Sequence, residues 1–300
     1  MSPAGPAAGT AVEEDAPAKL NLYLHVLGRR ADGYHELDSL FAFADIADHL
    51  VAAPAPGFEL LVDGPFATAL EGEADNLVLR AARALAAAAG VTAGARLRLT
   101  KNLPVAAGLG GGSADAAAAL RALVRLWGLD FGAERLRALA LPLGADIPAC
   151  LFARPCFVGG IGEQIEPAPP LPALGMVLVN PLRPLPTGRV FAGLGGRYSS
   201  AARFADLPSD GEAFTALLAQ RRNDLAVPAV ALEPAVGQVL GALGATAGCR
   251  LARLSGSGAT CFGLFAHRPA AVAAADALRS RHPEWWVASG GLIDGGPFSS

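Results

Sequence analysis

The sequence predicts an α+β protein of two domains. Residues 18–29 alternate apolar and polar side chains, which is typical of a strand. Residues 75–90 are rich in alanine and leucine at helical spacing. Since strands and helices mix without a regular strand–helix–strand repeat, an α+β arrangement is favoured over a doubly wound sheet. The prolines between Pro167 and Pro172 mark a change in composition and predict the boundary between the domains.

Size and charge limit the class of protein. With 300 residues, the chain is long enough for two domains that each bury a core. The formal net charge is −3, so no strong field draws the chain to nucleic acid or to an anionic membrane. No run of about eighteen apolar residues lacks a charge, and the first residues do not resemble a secretory signal. We expect a cytoplasmic protein with a disordered tail over residues 1–15 and domains over 16–166 and 167–300.

The four cysteines are Cys150, Cys156, Cys249 and Cys261. They form neither a CxxC pair nor a cluster with histidine at the spacing of zinc ligands. The spacing of Cys150 and Cys156 is compatible with a disulfide, but a chain without an export signal is expected to keep its thiols reduced. We therefore expect four free cysteines that pack as small apolar groups.

The first half of the chain contains six predicted elements. They are strands at residues 18–29, 57–64 and 95–104 and helices at residues 75–90, 113–127 and 132–144. In the helix at 75–90, Asp75 is expected to cap the N-terminus and Gly90 to end the helix. In the first strand, Lys19 and Asn21 share the polar face, because side chains two residues apart point the same way. The first strand therefore brings two polar side chains together.

The second half of the chain contains a further series of predicted elements. They are a buried strand at residues 174–181, helices interrupted by proline at 221–248, two strands joined by a glycine–serine turn at 249–266, a helix at 268–282 and a final strand at 284–293. Asn223 and Asp224 precede a helix, where such residues are typical caps. No internal repeat is present, so the two domains are expected to differ in structure.

A glycine-rich loop precedes the alanine-rich helix at 113–127. Glycines let a backbone approach a ligand closely, and the unpaired N–H groups of a helix N-terminus attract anions. The loop lacks the lysine of a GxxxxGK[ST] phosphate loop, because Ala114 follows Ser113, and it fits the GxGxxG pattern poorly. Leu109 is its only apolar anchor, so we expect a bound phosphate to order it. A tight turn that only packs closely is the alternative interpretation.

Four stretches carry a more specific signal. They are APAKLNLYLHVLGRRADGYHELDSLF at residues 16–41, PVAAGLGGGSADAAAAL at 104–120, GADIPACL at 144–151 and LSGSGATCFGLF at 254–265. In this order they resemble motifs of the GHMP small-molecule kinases. The first stretch resembles the branch of that family that acts on a cytidine-diphosphate derivative of methylerythritol. One departure from the pattern is Ala114, where the family usually has a second serine.

The resemblance implies the two-domain GHMP kinase fold, with a ribosomal-protein-S5-domain-2-like N-terminal domain that binds ATP and a ferredoxin-like C-terminal domain. It implies ATP- and Mg²⁺-dependent phosphorylation of the 2-hydroxyl of the cytidine-diphosphate methylerythritol, in the non-mevalonate isoprenoid pathway. The alternatives are another GHMP kinase, acting on mevalonate, homoserine or a sugar, and a GHMP-fold module that binds ligands without catalysis. The sequence fixes neither the Mg²⁺ ligands nor the choice between a monomer and a homodimer.

The resemblance also implies catalytic roles for Lys19 and Asp146. Asp146 would accept a hydrogen bond from the acceptor hydroxyl, since phosphoryl transfer depends on the orientation of that hydroxyl. Lys19 would supply a positive charge that helps to position the acceptor oxygen, and Asn21 would bind hydroxyls of the substrate. Without the resemblance, a helix cap at Asp146 and a solvated surface position for Lys19 are the ordinary interpretations.

Further residues form the substrate and ATP sites that the resemblance implies. His35 would bind the edge of the cytosine, with Tyr34 and Phe191 stacked on the two faces of the ring. The turn Gly256–Gly258 would face the reacting groups or form a simple hairpin turn. The loop that would bind the ATP phosphates consists of Pro104, Val105, Ala106, Ala107, Gly108, Leu109, Gly110, Gly111, Gly112, Ser113 and Ala114.

Overall fold

The structure is a computed structural model that describes residues 10–72 and 75–293. Its strands are β1 (Val12–Arg29), β2 (His35–Ala55), β3 (Phe58–Asp63), β4 (Gly94–Thr100), β5 (Cys156–Gly160), β6 (Gln164–Pro167), β7 (Gly175–Asn180), β8 (Leu251–Leu254), β9 (Cys261–Phe265) and β10 (Trp286–Ile293). Its helices are α1 (Leu77–Ala89), α2 (Gly111–Leu126), α3 (Ala133–Ala140), α4 (Ile147–Phe152), α5 (Thr187–Ala192), α6 (Gly211–Ala219), α7 (Ala226–Leu232), α8 (Pro234–Gly244) and α9 (Arg268–Arg281).

Every strand and helix predicted from the sequence coincides with an observed element of the same type. Gly90 follows α1 with a left-handed φ of +67°, which confirms the predicted end of that helix. The prediction of Asp75 as the cap is wrong by one residue. Asn76 caps α1 instead, because its side chain accepts a hydrogen bond from the Val78 amide at 2.9 Å.

Strand β1 starts earlier than the sequence suggests. The prediction of a disordered tail over residues 1–15 is wrong for residues 12–15, because β1 is already regular at Val12. The Glu14 carboxylate is buried and forms ion pairs with Arg121 at 2.8 Å and Arg125 at 2.7 Å. An acidic stretch looks like a solvated tail in the sequence, but here the two arginines neutralise the buried carboxylate of Glu14. Residues 1–9 lie outside the described residues.

Among the described residues, the first of two compact units contains residues 10–17, 47–72, 75–105 and 111–151. Within it, β4 pairs in parallel with β3 and antiparallel with the second half of β2, and α1 packs on α2. The alanines of α2 are buried, because small side chains let neighbouring elements come close. The helix that follows the glycine loop is therefore a core element of this unit.

The second compact unit contains residues 18–46, 106–110 and 152–293. Its strands pair antiparallel in the order β2, β10, β7, β9 and β8, and β5 joins β2 to β6. Strand β7 is buried over its whole length, as its unbroken apolar run predicts. The units interleave along the chain, and the limits 16–166 and 167–300 stay a prediction.

All four cysteines are thiols outside any disulfide, as predicted. Burial raises the pKa of the Cys249 and Cys261 thiols, so both stay protonated near neutral pH. None of the helices in the described part of the chain combines the length and the hydropathy that a membrane span requires.

Candidate active site

The polar face of β1 is buried rather than solvated. Lys19 is 5% exposed and Asn21 is 2% exposed, so the interpretation of Lys19 as a surface lysine is wrong. The Lys19 Nζ donates to the Asn21 Oδ1 at 3.1 Å and lies 4.3 Å from the ring centroid of Phe41. The Asn21 amide in turn donates to the Ser39 hydroxyl at 2.9 Å. The strand alternation thus places a charged group inside the protein, where it is held by an amide and an aromatic ring.

The part of the glycine loop in the second unit, residues 106–110, has an unusual backbone. Gly108 and Gly110 have φ values of +77° and +62°, a region that favours glycine. Leu109 is buried, as expected for the apolar anchor of the loop, and its carbonyl accepts from the Lys19 amide at 2.9 Å. The loop is therefore held by protein contacts as well as by any ligand.

The turn between β8 and β9 supports this loop. The Ser255 hydroxyl donates to the Gly108 carbonyl at 2.9 Å, and the Thr260 amide donates to the Ala107 carbonyl at 3.1 Å. A Cβ atom at Gly108 would lie 2.4 Å from the Ser255 carbonyl oxygen, closer than real atoms approach. Only glycine fits at this position, so close packing is one reason for the glycines.

Asn223 holds the same turn from another side. Its side-chain amide donates to the Leu254 carbonyl at 2.9 Å and to the Gly256 carbonyl at 2.7 Å. Its Oδ1 atom accepts from the Leu225 amide at 2.9 Å. On the far side of the turn, the Ser257 and Thr187 hydroxyls lie 2.8 Å apart. Because Asn223 lies far from the turn in sequence, the pattern of the chain gives no sign of this role.

The part of the loop in the first unit forms the N-terminus of α2. The helix begins at Gly111, two residues before the predicted start at Ser113. Gly112 is exposed and Ser113 is half-buried, whereas Ala114 is buried. The first N–H groups of a sixteen-residue helix lie here, together with its positive dipole end. This end of α2 has the properties of an anion site.

A buried charge cluster lies next to Gly111, and sequence reasoning missed it. The Lys101 Nζ donates to the Asp48 carboxylate at 2.5 Å and to the Asp115 carboxylate at 2.8 Å. The Asp48 Oδ1 also accepts from the Asn102 amide at 2.6 Å. The Asp115 Oδ1 has no hydrogen-bond partner among the described residues. One cation therefore serves two carboxylates, and only Asp48 is fully hydrogen-bonded.

The electrostatics of this cluster follow from burial. Desolvation raises the pKa of Asp115 to about 8, the negative charge of Asp48 adds to the rise, and Lys101 opposes it. Burial acts to lower the pKa of Lys101, but the two carboxylates outweigh it and the pKa is raised. Lys101 therefore keeps its positive charge near neutral pH, and Asp115 holds a proton more readily than an exposed aspartate does.

Asp146 directly precedes helix α4. Its carbonyl accepts from the Cys150 amide at 3.1 Å, and its side chain is partly exposed. The following residues, from Ile147 to Leu151, are buried. The carboxylate thus lies at the start of a helix that is fixed in the core and is itself open to solvent, as a group that contacts a substrate must be.

A cavity of about 630 Å³ lies in the second unit and contains three of the predicted site residues. The His35 and Phe191 rings stack, with centroids 4.8 Å apart and planes at 29°. Tyr34 is 60% exposed at the rim, and Arg29 and Tyr198 complete the polar and aromatic lining. The structure therefore brings Tyr34, His35 and Phe191 together, although Phe191 lies more than 150 residues from the other two.

Desolvation by burial lowers the pKa of His35, and the positive charge of Arg29 lowers it further. The ring is therefore neutral at pH 7, with one nitrogen that donates and one that accepts. A cavity with stacked aromatic rings and a neutral donor–acceptor edge suits a flat heterocycle such as a nucleobase.

Two family models match the chain. The GHMP kinases N terminal domain matches residues 76–154, and the GHMP kinases C terminal matches residues 206–284. The chain belongs to the GHMP kinase family. The predicted two-domain α+β fold of these kinases is thereby confirmed, and so is the resemblance on which it rests.

The kinase is similar to 4-diphosphocytidyl-2-C-methyl-D-erythritol kinases along nearly its whole length. It is 54% identical over 284 residues to the enzyme of that name from Paramagnetospirillum magneticum, covering 95% of this chain and 99% of that one. The enzyme from Rhodospirillum rubrum is 50% identical, with 98% and 96% covered. A crystal structure of 4-(cytidine 5'-diphospho)-2C-methyl-D-erythritol kinase matches with a TM-score of 0.77 at 38% identity, covering 95% and 99%. The kinase is thus an enzyme that transfers a phosphoryl group from ATP to an alcohol of a small molecule.

Proposed function

We propose that this kinase phosphorylates the 2-hydroxyl of 4-diphosphocytidyl-2-C-methyl-D-erythritol, as the names of its near full-length relatives indicate. The observation that carries the proposal is the cavity in which the His35 ring stacks on Phe191. Mevalonate, homoserine and sugars have no flat aromatic ring for such a cavity to bind. A neutral His35 offers a donor and an acceptor to the edge of cytosine, and Tyr34 and Phe191 are the rings that would flank it.

The glycine loop is the proposed site of the ATP phosphates. The N–H groups at the start of α2 and the glycines before it would donate to phosphate oxygens, and Ser113 adds a hydroxyl. The described residues include no group of three or more histidine, cysteine, aspartate or glutamate side chains suited to a metal ion. The Ser113 hydroxyl is the proposed protein ligand of a Mg²⁺ ion that the nucleotide phosphates would mainly hold. Such an ion neutralises charge on the phosphates.

Asp146, Lys19 and Asn21 are the residues that we propose for the transfer step. The acceptor oxygen forms a bond to the γ-phosphorus, the bond from that phosphorus to the bridging oxygen of ADP breaks, and Asp146 takes the hydroxyl proton. The positive charge of Lys19 helps to position the acceptor oxygen. The Asn21 side chain already orients Lys19 and offers a hydrogen bond to the substrate hydroxyls.

A direct test measures ADP release by the purified protein with ATP, Mg²⁺ and the cytidine substrate. We expect turnover with this substrate and none with mevalonate, homoserine or galactose, and we expect cytidine diphosphate to compete with the acceptor better than uridine diphosphate does. Turnover of another acceptor alone overturns the substrate assignment. ATP binding in calorimetry without turnover of any acceptor favours the non-catalytic alternative.

The role of Asp146 has its own test. Asp146→Asn is expected to lower kcat by about a hundredfold or more, because the amide cannot accept the proton. Asp130→Asn, at an exposed aspartate, is the matched control and is expected to retain the wild-type kcat. Equal activity of Asp146→Asn and wild type excludes the proposed role.

The compartment and the assembly complete the proposal. Four thiols outside any disulfide suit a reducing compartment, and we propose the cytoplasm. Light scattering on the purified kinase decides between a monomer and a homodimer.

A further inference from the structure

Arg121 lies in the middle of α2 and is 1% exposed, although its side chain is charged. Its Nε donates to the Glu14 carboxylate at 2.8 Å, and its Nη2 donates to the Asp15 carbonyl at 2.6 Å. Its Nη1 donates to the Cys150 carbonyl at 3.0 Å. A buried guanidinium is costly unless its charge and its donors are satisfied, and here all three nitrogens have partners. The side chain therefore connects α2 to both β1 and α4.

The contact with Cys150 stabilises a helix that is short. Helix α4 has six residues, and a helix of this length has little stability of its own. Carbonyls in its last turn have no partner inside the helix, and Arg121 donates to one of them. The Cys150 amide donates to the Asp146 carbonyl at 3.1 Å. Two successive hydrogen bonds thus link Arg121 to the backbone of Asp146.

We propose that Arg121 is a positioning residue for the phosphoryl transfer. It fixes α4, and with it the Asp146 carboxylate, relative to the start of α2 at Gly111. Gly111 lies about 15 Å from Arg121 along the helix axis. Helix α2 then serves as a rigid spacer between the phosphate loop and the support of Asp146. This inference rests on the proposed function, in which Asp146 orients the acceptor hydroxyl. Small displacements of an orienting group lower the rate strongly, even when binding is intact.

Arg125 provides a matched control on the same helix. It lies one turn after Arg121 and forms an ion pair with the same Glu14 carboxylate at 2.7 Å. Its Nη2 also donates to the Glu13 carbonyl at 2.6 Å. Its side chain is 47% exposed, and both its ion pair and its hydrogen bond reach β1. Since Glu14 has two arginine partners, replacing either one leaves the buried carboxylate paired.

The experiment compares Arg121→Lys with Arg125→Lys in the full-length kinase. Lysine keeps a positive charge near Glu14, but its single amino group cannot reach the Cys150 carbonyl at the same time. For Arg121→Lys we expect kcat to fall about tenfold or more, with the KM for ATP within about twofold of wild type. For Arg125→Lys we expect the wild-type kcat, even if its Tm falls by as much as the Tm of Arg121→Lys. All rates are measured well below the Tm of each variant.

Two results would overturn the proposal. One is a wild-type kcat for Arg121→Lys together with a lower Tm, which indicates a purely structural role. The other is an equal fall of kcat in both variants. If Arg121→Lys does not fold, the double variant Arg121→Met and Glu14→Leu removes the pair without leaving a buried charge, and a wild-type kcat there overturns the proposal. An inactive wild-type enzyme instead contradicts the proposed function, so the two failures are distinguishable.

Discussion

The His35 ring stacks on the Phe191 ring, with centroids 4.8 Å apart, inside the cavity assigned to the nucleobase. Phe191→Ala removes one face of this arrangement. Loss of an aromatic stacking partner is expected to raise the KM for the acceptor roughly tenfold and to leave the KM for ATP unchanged. Steady-state kinetics with each substrate varied in turn measure both values. Phe191→Tyr keeps the ring and is the control; an equal change in both KM values after Phe191→Ala contradicts the assignment of this cavity.

The pH dependence of acceptor binding follows from His35. Burial and the Arg29 charge lower its pKa, so the neutral ring persists at pH 7 and gains a proton only in more acidic solution. We expect the KM for the acceptor to rise only at a pH below the ordinary 6.5 of histidine, because the protonated ring has no accepting nitrogen. Arg29→Met removes the repulsion and raises the pKa of His35, so the rise should begin at a higher pH. Identical profiles for Arg29→Met and wild type would exclude His35 as the titrating group.

Asp115 makes stability depend on pH. Its pKa is raised from 3.8 to about 8 in the folded protein, so between these values the folded state holds a proton that the unfolded state has lost. The free energy of unfolding therefore falls as the pH rises from about 4 to about 8. Asp115→Asn keeps an acceptor for Lys101 and cannot titrate, so we expect a flatter profile. Urea unfolding at pH 5, 7 and 9 tests this. If the free energy of unfolding changes with pH in the same way in wild type and Asp115→Asn, the pKa of Asp115 is not raised.

A side chain at Gly108 would meet the backbone of the turn between β8 and β9. Gly108→Ala combines a left-handed φ with a Cβ atom 2.4 Å from the Ser255 carbonyl oxygen. We expect a loss of about 1–3 kcal/mol in the free energy of unfolding and a higher KM for ATP, because the loop must move. In Gly241→Ala the new Cβ has nothing within 4 Å, so stability should be unchanged or slightly raised. A normal KM for ATP in Gly108→Ala would show that the loop does not contact the nucleotide.

The elements that the sequence predicts are those with a strong local pattern. Strand β1 and helix α1 have clear periods, and Gly90 marks the end of α1. Strands β5 and β6 and helices α4 and α5 have four to six residues each, too few for a period to be visible. Helix α6 is longer, and Asp210 caps it, but its apolar residues are not spaced along one clear face. Strands β3, β7, β8 and β9 are equally short and are nevertheless predicted, whereas the 21-residue strand β2 is not among the predicted elements. A clear local pattern, rather than length alone, therefore decides what can be predicted.

The supporting residues of the site are invisible in the sequence for another reason. Lys101 and Asp48 are 53 residues apart, and Arg121 and Glu14 are 107 apart. Each pair is explained only by a fold that buries both members, and no local pattern marks a charged residue that will be buried. The predicted burial of Leu109 succeeds because a lone leucine among glycines is itself a local signal.

The hydrogen bonds from Ser255 and Thr260 to the glycine loop affect the order in which the parts of the kinase fold. During synthesis, the loop at residues 106–110 leaves the ribosome long before the turn that holds the Gly108 carbonyl. Ser255 and Gly108 are 147 residues apart in sequence. Their contact therefore forms more slowly than local elements do. The nascent chain therefore carries its glycine loop without that support until the last two strands pair with β7. With the proposed assignment of this loop to the ATP phosphates, nucleotide binding is expected to be a late event in the maturation of the enzyme and to report on the completion of the C-terminal part of the chain.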